Sequence, residues 1–166
     1  NQKPDKIDIK SFLIPQHFVR MASRGYSNLV IIESEGGLGK TYGVTNTLQE
    51  EKAEWEYRNT KVTPLALYKF LYKTQTKYEQ KYGKRNPNFV VLFDDVSGIT
   101  DDEVATGILN GATWEVNGKR IITYESTAKQ AQDVPSTFEF TGAIIILTNK
   151  FKEREQTLAL KSRANF

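Results

Sequence analysis

Leu29-Val30-Ile31-Ile32 is an apolar, mostly β-branched run, and Ser34-Glu35-Gly36-Gly37-Leu38-Gly39-Lys40-Thr41 follows it after a single glutamate. The run reads as a buried strand over 28–33, and the segment from Lys40 to Glu51 reads as a helix. A strand, a glycine-rich loop and a helix opening on Lys-Thr leave few possible folds. Glycines let backbone N–H groups turn inward around a polyphosphate, and the helix N-terminus adds the positive end of its dipole. In that arrangement Lys40 reaches the β- and γ-phosphates and Thr41 offers its hydroxyl to Mg²⁺. The first glycine of the usual G-x-x-x-x-G-K-S/T pattern is replaced by Ser34, while Gly37, Gly39, Lys40 and Thr41 keep their places. A chance glycine-rich turn is the bland alternative, and the flanking strand and helix argue against it. The stretch from Ser34 to Tyr42 is therefore the candidate nucleotide contact.

Two more apolar runs end in polar residues. Phe89-Val90-Val91-Leu92-Phe93 stops at Asp94-Asp95, and Ala143-Ile144-Ile145-Ile146-Leu147-Thr148 stops at Asn149. Each is strand-sized and rich in residues that suit a buried strand. Beside a phosphate loop, Asp94 would hold Mg²⁺, through water because that ion keeps most of its hydration shell. Asp95 would orient or deprotonate an attacking water, and Asn149 would bridge that water and the γ-phosphate. Strand-ending turns also use Asp and Asn merely to bond local backbone. It is the recurrence of polar residues at three strand ends that favours a shared site.

The rest of the chain alternates in the same way. Ser11–Ala22 reads as a short helix interrupted near Pro15, and 53–58 as a strand. Thr63-Pro64 supplies an N-cap and a first-turn proline for a helix running to Tyr82 and stopping at Gly83. Thr100-Asp101-Asp102-Glu103 caps and charges the start of a helix ending near Gly111. Asn117-Gly118 between two alternating runs, within Trp114–Tyr124, is a hairpin signal, and 151–161 reads as helical. Strands alternating with helices predict an α/β fold, a mostly parallel sheet between two helical layers. Ligands in such folds bind at the carboxyl ends of the strands, where all three polar ends fall.

Composition removes several classes. The 166 residues contain no cysteine, which excludes disulfides and thiolate metal sites and fits a reducing cytoplasm. His17 is the sole histidine and has no cysteine to join it, which argues against a zinc site. No apolar run approaches the ~20 residues of a membrane helix, and no signal peptide is visible. The chain begins at Asn1 rather than Met, as a trimmed piece of a longer protein would. A net charge of +3 permits a nucleic-acid partner without requiring one.

The order of phosphate loop, hhhhDD strand and hhhhTN strand resembles the AAA+ ATPases and, within them, superfamily 3 helicases and phage or viral replication ATPases. Gly37-Leu38-Gly39-Lys40-Thr41 is similar to Walker A, Asp94-Asp95 to the Walker B pair and Asn149 to sensor 1. Leu160-Lys161-Ser162-Arg163 resembles the Ser-Arg element that gives an arginine finger to a neighbouring subunit, with Arg154 as the weaker rival. Phe138-Glu139-Phe140 before the sensor strand looks like phage replication ATPases. The resemblance spans 25–166, preceded by an N-terminal segment over 1–24. It implies a P-loop core with a β-hairpin inserted before the sensor strand, ATP and Mg²⁺ as ligands, and a homo-oligomer, expected to be a hexameric ring, that works on DNA or RNA. Asp95 stands where most members have Glu, which puts the hydrolysis rate in question, and the helical lid of many members is not in the chain.

In superfamily 3 helicases a hairpin before the sensor strand carries a basic residue to DNA. Here that resemblance falls on Lys119 and Arg120 beside Asn117-Gly118, with Trp114 and Tyr124 on the arms. A solvated hairpin is the plainer reading. The aromatic and basic residues from Tyr68 to Tyr82 fit an amphipathic helix better than a nucleic-acid surface. A protein-remodelling ATPase, or a nucleotide-gated binding module with little hydrolysis, are the alternatives to a nucleic-acid motor.

Overall fold

The computed structural model describes residues 10–33, 39–59, 63–83, 86–94, 99, 101–126 and 129–148. A four-stranded sheet forms the middle layer. Its strands are β1 (Leu29–Glu33), β2 (Trp55–Asn59), β3 (Val90–Asp94) and β6 (Ala143–Thr148), in the spatial order β1-β6-β3-β2, and every pairing is parallel. The α/β class and the parallel sheet are as expected from the alternation of strands and helices.

Strand residues alternate between two cores, which is why the three central strands read as unbroken apolar runs. Leu29, Ile31, Val91, Phe93, Ile144 and Ile146 point to one face, while Val30, Ile32, Val90, Leu92, Ile145 and Leu147 point to the other. Helices α1 (Lys10–Ser23) and α2 (Gly39–Glu50) cover the second face through Val19, Ala22, Val44 and Leu48. Helices α3 (Pro64–Tyr82) and α4 (Glu103–Thr113) cover the first through Leu67, Leu71, Ile108 and Leu109. Burying each such aliphatic side chain contributes roughly 1.5–3 kcal/mol, so this two-sided layer dominates the fold's stability.

Local signals explain the helix ends. Thr63 accepts from the Ala66 amide, Pro64 opens α3, and Gly83 ends it in the left-handed region at φ 58°. The N-cap of α4 is Asp102, whose carboxylate accepts from the amides of Val104 and Ala105. Helix α1 continues through Pro15 instead of breaking there, and it packs against α2 and the sheet. Arg24 clamps the two helices with a bidentate pair to Glu51 at 2.9 and 3.0 Å.

The hairpin is smaller than expected. Asn117 (φ 53°) and Gly118 (φ 76°) form a tight turn closed by a Val116–Lys119 bridge, which needs positive φ at both positions. Beyond it, β4 (Ile121–Thr123) pairs antiparallel with β5 (Thr137–Glu139), not with the arm that begins at Trp114. This ribbon packs on α3, where Tyr68 and Tyr72 each meet Phe138 edge-on at 5.3 Å.

Candidate nucleotide site

Parallel register sets the site. Glu33 of β1 lies opposite Thr148 of β6, and Leu147 of β6 lies opposite Asp94 of β3. The ends of β1, β6 and β3 therefore align, and α2 starts above them with Gly39, Lys40 and Thr41 in its first turn. That turn carries no acidic residue, so nothing on α2 opposes an anion at its positive end.

The Thr41 hydroxyl donates to Asp94 Oδ2 at 3.2 Å, across 53 residues of sequence. Adjacent corners of a Mg²⁺ octahedron with ~2.0–2.1 Å bonds lie about 2.9 Å apart. The spacing of the two oxygens thus suits a single ion, held by both directly or by one through water. A hydroxyl that spends its hydrogen on Asp94 still has lone pairs for a cation. Among the described residues no group of three or more His, Asp or Glu side chains forms a cage. Mg²⁺ on a nucleotide needs none, since one or two protein oxygens and the phosphates complete its shell with water.

A residue that the motif reading missed also reaches this carboxylate. The Tyr57 phenol on β2 donates to the same Asp94 Oδ2 at 3.0 Å. Burial first, and then this bond, raise the Tyr57 pKa above its ordinary value and keep the phenol a donor. Only the sheet order could have revealed Tyr57, because it is β2 that lies next to β3.

Of the other candidates, Gly39 and Lys40 are placed in the α2 backbone, and the Tyr42 side chain is exposed. Ser34, Glu35, Gly36, Gly37, Leu38, Asp95, Asn149, Arg154 and Arg163 lie outside the described residues. Lys119 is exposed beside the turn.

Arg120 is a correction. It is 8% exposed, and its guanidinium Nη1 donates to the carbonyls of Ala112 at 2.7 Å and Gly142 at 2.6 Å. Its guanidinium carbon lies 5.6 Å from the Phe140 ring centroid. Desolvation pulls its pKa down to about 10, against weaker support from Glu115 and Glu139. Arg120 ties the end of α4 to the start of β6 and presents no charge to a nucleic acid. The in-and-out alternation of β4, Ile121 exposed and Ile122 buried, extends back through buried Arg120 to exposed Lys119.

No protein-family model matches the chain. A protein of Enterobacteria phage T4, the uncharacterized 36.7 kDa protein in the nrdC-mobD intergenic region, is 26% identical over 132 residues. The match covers 76% of this chain and 37% of the phage protein, so the chain spans little more than a third of that relative. No helix among the described residues is long and apolar enough to cross a membrane.

Proposed function

We propose that the chain is the core of a Mg²⁺-dependent ATPase of the AAA+ type, acting on nucleic acid from within an oligomeric ring. The observation that carries this reading is the Thr41–Asp94 contact at the carboxyl ends of parallel strands. Thr41 in the first turn of α2 and Asp94 at the end of a strand that is not β1's neighbour meet at the carboxyl ends of the strands, where folds of this class bind ligands. The match to a protein of Enterobacteria phage T4 is in keeping with a phage setting.

On this reading Lys40 and the loop amides hold the β- and γ-phosphates, and Thr41 and Asp94 hold the metal ion. When bound, Mg²⁺ neutralises charge on the phosphate oxygens. Asp95 takes a proton from water as the water oxygen bonds to the γ-phosphorus and the bond to ADP breaks. Asn149 orients that water, and Arg163 of a neighbouring copy stabilises the charge that develops.

The test is ATP turnover by the purified chain with and without single-stranded DNA, beside Lys40→Ala. The reading expects turnover that needs Mg²⁺, rises with DNA and is lost in Lys40→Ala. Turnover indifferent to nucleic acid would favour a protein-remodelling ATPase. Nucleotide binding without turnover would favour a gated binding module.

A further inference from the structure

We infer that Tyr57 is a positioning residue for the metal site, its phenol holding Asp94 in the orientation that receives the ion. The inference rests on the nucleotide reading above and adds a residue from the edge of the sheet. Asn59 pairs with Asp94 and Tyr57 with Leu92, so Tyr57 is the diagonal neighbour of Asp94. Diagonal neighbours lie ~7–8 Å apart, a gap closed by long or aromatic side chains. Alternation along β2 puts Trp55, Tyr57 and Asn59 on the α2 side. Glu56 instead accepts from Tyr78 at 3.1 Å, and Arg58 lies 5.0 Å from the Phe70 ring centroid, both on the α3 side.

Two hydroxyls from different elements, Thr41 on α2 and Tyr57 on β2, converge on one carboxylate oxygen. Two donors on one oxygen restrict rotation about the Cβ–Cγ bond more than either does alone. Tyr57 is 43% exposed, more than a residue needed only for packing would be, and its ring can lose the hydroxyl without leaving a buried cavity. A hydrogen bond to a charged acceptor is partly replaced by water at such a site, so its loss should weaken metal binding roughly 5–10-fold.

The experiment measures Mn²⁺ affinity by electron paramagnetic resonance with a non-hydrolysable ATP analogue. It compares the unmodified chain with Tyr57→Phe and Asp94→Asn, and measures analogue affinity in EDTA alongside. The expected result is a roughly 5–10-fold loss of Mn²⁺ affinity in Tyr57→Phe, a larger loss in Asp94→Asn and unchanged metal-free binding in Tyr57→Phe. If Asp94→Asn weakens Mn²⁺ and Tyr57→Phe does not, Tyr57 is only a surface partner and the inference fails alone. Tighter Mn²⁺ binding in Tyr57→Phe would make Tyr57 a competitor for Asp94, and an equal loss of metal-free binding would make its role structural; either overturns the inference. If Asp94→Asn leaves Mn²⁺ affinity unchanged, the metal reading fails and Tyr57 falls with it.

Discussion

Replacing Thr41 by valine keeps the shape of the side chain and removes one hydroxyl, so it separates a structural bond from a metal ligand. The bond to Asp94 is long, at 3.2 Å, and partly buried, and Tyr57 still donates to the same oxygen. Water can take the place of the lost donor, so the folded protein should lose no more than about 1 kcal/mol. For a domain of this size that lowers Tm by about 2–4 °C. Metal binding should respond differently. Where Thr41 and Asp94 are the protein's oxygens for the ion, losing one should cost at least about 1.5 kcal/mol, or more than about tenfold in Mg²⁺ half-saturation. The assay is a Mg²⁺ titration of nucleotide binding beside a thermal melt in EDTA. A Tm drop beyond about 8 °C with unchanged Mg²⁺ dependence would show that Thr41–Asp94 is only a bond tying α2 to the sheet.

Other predictions concern the frame around the site. Gly142→Ala should destabilise by about 1–3 kcal/mol in chemical denaturation, since overpacking has that cost. A Cβ there would lie 2.4 Å from Phe89 Cε2, and the Phe89 ring is held by Tyr78, stacked at 5.0 Å, and by Phe140, edge-on at 5.4 Å. A neutral outcome would mean that the ring can move. Arg120→Ala should cost about 2 kcal/mol or more, because two carbonyls lose their donor, while Lys119→Ala should stay within about 0.5 kcal/mol. Equal stability of the two variants would contradict the buried placement of Arg120.

The parts of the fold legible in the sequence are those fixed by local chemistry. Ala143–Thr148 is recognisable because every residue in it is buried, so the apolar run and the strand coincide. Helix α3 is recognisable at both ends because Thr63, Pro64 and Gly83 each solve a problem of the backbone at their own position. What sequence patterning missed depends on residues remote in the chain. The partner of β4 is β5, chosen by packing of Phe138 on α3 rather than by the Asn117-Gly118 turn. Arg120 next to Lys119 resembles an exposed basic pair, and its burial depends on carbonyls at 112 and 142. Pro15 predicts an interruption in α1, yet the helix continues through it and packs on the sheet through Val19 and Ala22. In the candidate site, Thr41 and Asp94 follow from motif spacing, whereas Tyr57 follows only from the order of the strands.

Whether the ends of β1, β6 and β3 hold a nucleotide is decided by equilibrium binding of a fluorescent ATP analogue, with and without Mg²⁺, to the unmodified chain and to Lys40→Ala. A nucleotide site there gives saturable binding that Mg²⁺ strengthens and that Lys40→Ala weakens at least tenfold, a loss of about 1.4 kcal/mol or more. No binding by the unmodified chain, or equal affinity in Lys40→Ala, would contradict it.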